Sequence, residues 1–139
     1  MIHDSSIRLN DEYTYNYCTI GGGTNGSFGS IDIQNSQIHI PSSGGNTAIG
    51  NGWQVYYNRE SRIRIANSEV SVRCASLGPA IGAAWDSGSG RINIIIENST
   101  VTAKGGNLRT DGNYVPGIGK NALGRAPEIG IQILNSTVD

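Results

Sequence analysis

The sequence contains little Phe, Met or Trp: one Phe, one Met and two Trp occur among its 139 residues. It also lacks a run of about 18 apolar residues, which a membrane-spanning helix needs, and its first residues lack the pattern of a signal peptide. A core built from this chain must therefore consist of Ile, Val, Ala and Leu. Such thin aliphatic layers suit a narrow fold, and the length is enough for one domain.

An excess of charge of either sign is also missing. Ten basic and eleven acidic residues give a net charge of −1, and both signs are mixed along the chain. We therefore expect no surface for nucleic acid, no attraction to an anionic membrane and no membrane insertion.

Cysteine and histidine are too few for a metal site of the usual kind. Cys18 and Cys74 are the only cysteines, whereas zinc sites commonly need three or four closely spaced ligands. They occupy different phases of the repeat described below, so we expect two small buried residues, with a disulfide as the alternative. Of the two imidazoles, we expect His3 in a frayed end and His39 on a solvated outward face.

What the sequence does contain is a phrase that recurs four times. An alternating apolar run ends in Asn-Ser and is followed by further alternating apolar residues. The asparagines are spaced 32, 31 and 37 residues apart, at Asn35, Asn67, Asn98 and Asn135. A second marker, Ile-Gly, recurs in phase with the first and begins at Ile20, Ile49, Ile81 and Ile118. Such a period indicates stacked structural repeats.

Apolar residues at period two, most of them β-branched, are typical of short strands with one buried face. Each repeat supplies one strand before Asn-Ser, a second after it and a third at Ile-Gly. These strands can cover their apolar faces by coiling round a common axis, with stacked strands about 4.8 Å apart. The sequence therefore predicts an all-β fold, a single-stranded parallel β-helix of about four coils with three short strands per coil. A right-handed coil is expected from the preference of parallel crossovers.

The alternative is a sandwich in which each Asn-Ser forms an independent hairpin turn. Hairpin turns would not keep the Ile-Gly marker in phase with Asn-Ser, which favours the β-helix. We expect one domain over 1–139, with a degenerate first coil or cap at 1–29, repeats at 30–139 and an insertion loop at 105–116. The last coil lacks its Ile-Gly strand, which predicts a longer protein or an end buried by self-association.

The recurring asparagine has a structural explanation. Asparagine tolerates the left-handed backbone region, so it can turn a corner between two strands. Stacked asparagines can also join their amides between coils and satisfy turn backbone. We therefore expect a ladder of Asn35, Asn67, Asn98 and Asn135.

A search for catalytic residues gives no candidate. No nucleophile elbow, zinc-protease motif or phosphate-binding loop occurs. In the frame of the repeat no two carboxylates share a ladder, so a glycosidase pair is not expected. Asp32 aligns with Arg64, which predicts an ion pair between neighbouring coils.

The insertion is the best loop for chemistry, because loops carry much of the function of solenoids. Lys104 and Arg109 can neutralise an acidic sugar, and Tyr114 lies in the same loop. Asp111 and Asn113 offer oxygens to Ca²⁺ but fall short of a full calcium shell, so ordinary turn chemistry is favoured over metal and no cofactor is expected.

The only two tryptophans share one phase of the repeat. Trp53 and Trp85 each follow the Ile of an Ile-Gly pair by four residues, and the polar residues Gln54 and Asp86 come next. Facing outward, stacked indoles form a flat strip for sugar rings or an aromatic-rich partner; facing inward, they form part of the core.

The repeat phrases, such as Ile63-Arg64-Ile65-Ala66-Asn67-Ser68-Glu69-Val70 with Ala80-Ile81-Gly82, resemble the Gly-rich repeats of right-handed β-helix segments in bacterial cell-surface proteins. The resemblance covers about Ser30 to Asp139. It implies an adhesin or carbohydrate-binding module that is extracellular or at the cell surface, as part of a longer protein. Related folds include pectate lyases and phage tail spikes, but this sequence lacks the acidic calcium cluster of the lyases.

These observations leave three hypotheses. The first is a non-enzymatic module that binds a polysaccharide or surface glycan. The second is a polysaccharide lyase or hydrolase with Lys104, Arg109 and Asp111 at its groove. The third is a structural or assembly unit that associates through its open ends.

Overall fold

The computed structural model describes residues 1–9, 18–22, 29–43, 47–52, 59–75, 78–84, 90–106, 115–121 and 127–139. Within these ranges the chain forms strands and no helix, so it contains no helix of the length and apolarity that crossing a membrane requires.

The strands form three sheets. Each passage of the chain gives one strand to each sheet, except that the last passage gives strands to sheets A and B only. Sheet A contains β1 (Ile2–His3), β4 (Ser30–Gln34), β7 (Arg59–Ala66), β10 (Gly90–Glu97) and β13 (Glu128–Leu134). Sheet B contains β2 (Ser6–Arg8), β5 (Gln37–Ser43), β8 (Glu69–Cys74), β11 (Thr100–Lys104) and β14 (Thr137–Val138). Sheet C contains β3 (Ile20–Gly22), β6 (Ile49–Asn51), β9 (Ile81–Ala83) and β12 (Ile118–Lys120).

The strand order shows how the chain is wound. It visits sheets A, B and C in turn and returns to sheet A beside the strand that it left. Every pairing between these strands is parallel, which is consistent with a parallel β-solenoid. The hairpin alternative is therefore wrong for the described strands, because a hairpin pairs its strands antiparallel.

Period-two alternation decides which side chains form the core. On sheet A, Ile63 is the register partner of Ile31 on one side and of Ile94 on the other. Isoleucine and valine ladders of this kind are buried along sheets A and B, with Ile49 and Ile81 closing the core from sheet C. The predicted aliphatic core is confirmed.

At one edge of sheet A the same ladder is open. Ile131 and Ile133 of β13 continue the ladders of Ile94 and Ile96, which are fully buried. The two β13 side chains are 44% and 47% exposed. Their exposure follows from their place on an edge strand.

The first residues of the chain differ from the prediction. His3 lies in β1, paired with Gln34 of β4, and not in a frayed end. Asp4 and Ser5 follow β1 in the places that Asn35 and Ser36 hold after β4. The backbone of Asp4 is left-handed like that of Asn35, and it donates a hydrogen bond to the Gln34 carbonyl. The repeat therefore begins at residue 2, where Asp replaces Asn.

Glycine recurs in the Ile-Gly marker because neighbouring strands of sheet C approach each other closely at this position. Gly82 has a φ of +132°, and a Cβ built on it would overlap the carbonyl oxygen of Gly119 on the next strand. Gly21 and Gly50 show the same overlap with the next glycine in the sheet. Glycine is required here because both the φ and the spacing exclude a side chain.

Replacement of Gly82 by alanine should therefore destabilise the protein. The strained φ alone costs about 1–3 kcal/mol, and the overlap with Gly119 adds to it. Urea unfolding measures the loss. The matched control is Gly29→Ala, since a Cβ at Gly29 meets no atom within 4 Å. Equal stability of the two variants would contradict the close approach.

Candidate functional site

The corner between sheets A and B is built from the Asn-Ser pairs. The four asparagines, Asn35, Asn67, Asn98 and Asn135, have φ values of 47° to 48°. Asparagine adopts this left-handed conformation at lower cost than most residues, so it turns the chain from one sheet into the next. Their side chains are exposed along the corner. Stacking of their amides between repeats stays a prediction.

The hydrogen bonds that join repeats at this corner run through the serines. The hydroxyl of Ser68 accepts a bond of 3.1 Å from the backbone N–H of Ser36 and donates one of 2.7 Å to the Ala66 carbonyl. The same pair of bonds recurs at Ser36, Ser99 and Ser136. Three of these serines are buried. Each hydroxyl forms hydrogen bonds with backbone N–H and carbonyl groups of the turns that would otherwise be unpaired.

Part of the outward face of sheet A carries a network of paired side chains. The Arg64 guanidinium lies 3.3 Å from an Asp32 carboxylate oxygen and also contacts the Glu97 carboxylate. The Gln34 amide donates to both Asp32 oxygens at 3.1 Å. The predicted Asp32–Arg64 pair is confirmed and is part of a larger network. Since these groups are partly exposed, each pair contributes little to stability.

The outward face of sheet B is rich in hydroxyl groups. Its cations form no ion pair among the described residues, which is also true of Arg62 and Arg91 on sheet A. Alternation along the strands directs outward Ser6 and Arg8 from β2, Gln37 and His39 from β5, Glu69, Ser71 and Arg73 from β8, and Thr100, Thr102 and Lys104 from β11. His39 is the register partner of Ser71, which in turn pairs with Thr102, and the predicted outward position of His39 is confirmed.

A groove of about 300 Å³ crosses this face over β2, β5 and β8. Its polar lining consists of Ser6, Arg8, Gln37, His39, Glu69 and Ser71. A second depression along the Asn-Ser corner shares Gln37 and Glu69 with it. The two depressions form one continuous surface. We call the outward face of sheet B, including this surface, the sheet B face.

Most of the ligand-binding residues predicted from the sequence lie outside the described residues: Trp53, Gln54, Trp85, Asp86, Arg109, Asp111 and Tyr114. Lys104 is described; it is exposed at the end of β11. The residues that precede the tryptophans sit in equivalent places. Gly52 bonds to the Gly22 carbonyl and Ala84 to the Asn51 carbonyl, each on the preceding strand of sheet C.

The insertion has a narrow base. A Cβ on Gly105 would overlap the carbonyl oxygen of Val115, so the two ends of the loop are in contact. Gly106 also donates a hydrogen bond to Gly78 at 3.0 Å, which fixes the loop to the preceding repeat. No cluster of three His, Cys, Asp or Glu that could hold a metal occurs in the described part of the chain. The Ca²⁺ alternative rested on Asp111 and Asn113, which are not described.

The two cysteines do not form a disulfide. Cys74 is buried at the end of β8, as predicted. Cys18 lies before β3, where its Sγ contacts the Ile20 and Gly50 carbonyl oxygens at 3.1 and 3.2 Å and the Thr47 hydroxyl at 3.2 Å. Burial of the sulfur raises the pKa of the Cys18 thiol to about 11, although the hydrogen bond that the Thr47 hydroxyl donates to the sulfur partly opposes this rise.

Of the sheet B face, the sequence predicted only Lys104 as a ligand-binding residue and missed the others, Arg8, Gln37 and Arg73 among them. A signal was available, because the same alignment of repeats that pairs Asp32 with Arg64 also pairs Arg73 with Lys104.

Comparison of the sequence with family models, with curated proteins and with solved structures yields no match. The resemblance to β-helix segments of bacterial surface proteins therefore stays a prediction.

The Cys18 thiol should be unreactive in the folded protein. In a Cys74→Ala variant, Ellman's reagent at pH 8 should label Cys18 much more slowly in buffer than in urea, because the buried thiol stays protonated. The unfolded thiol titrates near its ordinary value of 9.0, so the unfolded state binds fewer protons between pH 9 and 11. The free energy of unfolding should therefore fall as the pH rises above 9. Equal labelling rates in buffer and urea would contradict this environment.

Proposed function

We propose that this chain is a non-enzymatic module that binds a polysaccharide. The observation that carries the proposal is the groove on the sheet B face, which spans three neighbouring strands. A linear glycan can lie across such strands and meet a polar side chain at each step, since strands of one sheet are about 4.8 Å apart.

The groups in the groove suit sugar hydroxyls. A hydroxyl both donates and accepts hydrogen bonds, so it needs partners of both kinds. Gln37 and Ser71 supply both, Arg8 only donates and Glu69 only accepts. All are anchored on strands whose other face is packed in the core, so they are held in place before a ligand arrives.

The tryptophans extend this proposal. Trp53 and Trp85 follow Gly52 and Ala84, which have equivalent hydrogen bonds to the preceding strand of sheet C. Two indoles in one phase of the repeat form a flat apolar strip when they face outward, and sugar rings stack on such surfaces.

The wider setting belongs to the same proposal. We infer a right-handed solenoid of about four coils, related to the repeat segments of bacterial surface proteins, within a longer extracellular or cell-surface protein. The support is the recurrence of the Asn-Ser and Ile-Gly phrases together with the cyclic strand order.

Removal of the groove's central side chains should weaken glycan binding. A Gln37→Ala, His39→Ala double variant loses the donors and acceptors of β5, and each lost hydrogen bond costs about 1 kcal/mol, or about fivefold in Kd. Calorimetric titration against a panel of neutral and acidic polysaccharides measures this effect.

The matched control is Gln132→Ala, an exposed outward amide on sheet A. It should bind like the unaltered protein. If no polysaccharide in the panel binds the unaltered protein, the proposed function is wrong. If the groove variant and the control bind equally, the site lies elsewhere on the molecule.

A further inference from the structure

Two basic side chains stand in register on the sheet B face. Arg73 of β8 is the register partner of Lys104 of β11, and both are exposed. Neighbouring strands are about 4.8 Å apart, so two positive charges start from adjacent backbone positions on the same face. Like charges placed directly opposite each other destabilise a sheet.

The acids on this face do not neutralise the pair. Glu69 lies on the same strand as Arg73 but in the ladder of Gln37 and Thr100. Asp139 follows β14 and bonds to β11 through its backbone. Neither carboxylate is within ion-pair distance of Arg73 or Lys104.

On sheet A, Arg64 is an example of a cation whose charge is neutralised by neighbouring strands. Arg64 also points outward from the middle of a sheet, and it contacts two carboxylates, one from each neighbouring strand. The Arg73–Lys104 pair has a cation where sheet A has an acid.

We propose that Arg73 and Lys104 form an anion-recognition site for an acidic polysaccharide, which carries carboxylate or sulfate groups. This inference rests on the proposed function and names the class of glycan. A guanidinium binds carboxylate or sulfate oxygens in a bidentate manner, while the ammonium acts as a compact charge beside it. Ser71 and Thr102 are register partners two residues earlier on the same strands, and they supply hydroxyls for the neutral part of the sugar.

The site continues along the face toward β2. Arg8 and His39 are register partners on β2 and β5, so a second in-register pair of basic residues lies in the groove. A polyanion lying across the strands passes from one pair to the other.

The test compares Arg73→Gln, Lys104→Gln and the double variant with the unaltered protein. The control is Arg62→Gln, which removes one exposed cation from the outward face of sheet A. The probes are polygalacturonate for carboxylate, a sulfated galactan for sulfate, neutral dextran and a single-stranded DNA oligonucleotide, each titrated at two salt concentrations.

The expected result is at least a tenfold loss of affinity for one acidic glycan in the double variant, with a weaker salt dependence. The control should retain its affinity. Preference for polygalacturonate or for the sulfated galactan identifies which anion the site takes. The urea midpoint of the ligand-free double variant should stay equal or rise, because a repulsion has been removed.

Three results would overturn the inference. One is unchanged acidic-glycan affinity in the double variant while a neutral glycan still binds, which would leave the proposed function standing. Another is a loss of acidic-glycan affinity in Arg62→Gln as large as that in the double variant, or binding of the DNA oligonucleotide as tight as that of the acidic glycan. Either would show non-specific charge attraction. The third is the absence of any glycan binding, which would remove the proposed function as well.

Discussion

Parallel pairing of each repeat with the next, residue on equivalent residue, is the constraint on which the rest of this structure depends. It places isoleucine on isoleucine in the core and glycine against glycine in sheet C. It also places serine next to serine at the corner, where hydroxyls join the backbone of successive repeats. Outside, the same rule brings side chains of neighbouring repeats together, whether they attract, as Asp32 and Arg64 do, or repel, as Arg73 and Lys104 do.

The residues that recur do so mainly for reasons of the backbone. Gly82 recurs with its equivalents because a Cβ would overlap the next strand. Asn67 recurs because its corner has a left-handed φ, and Asp4 takes that place in the first passage of the chain. The recurring residues therefore shape the scaffold, and the variable outward positions between them carry the chemistry that distinguishes sheet B from sheet A.

Much of the fold could be predicted from the sequence, because strand alternation and period are properties of the chain itself. The three strands of each repeat, the aliphatic core and the Asp32–Arg64 pair all followed from aligning the phrases. The serine ladder was missed because Asn and Ser recur together, and the sequence does not show which of the two faces inward. The corner at Asp4 was missed because aspartate replaces asparagine there. Of the candidate site, only Lys104 was foreseen within the described residues.

Equivalent residues of successive repeats lie side by side, and nuclear Overhauser effects between backbone protons can verify this register. We expect effects that join Ser71 to His39 on one side and to Thr102 on the other, since these are register partners. An antiparallel hairpin closed by Asn67 and Ser68 would instead join residues within one phrase, such as Ile65 and Val70. Observation of that second pattern would contradict the parallel stacking of repeats.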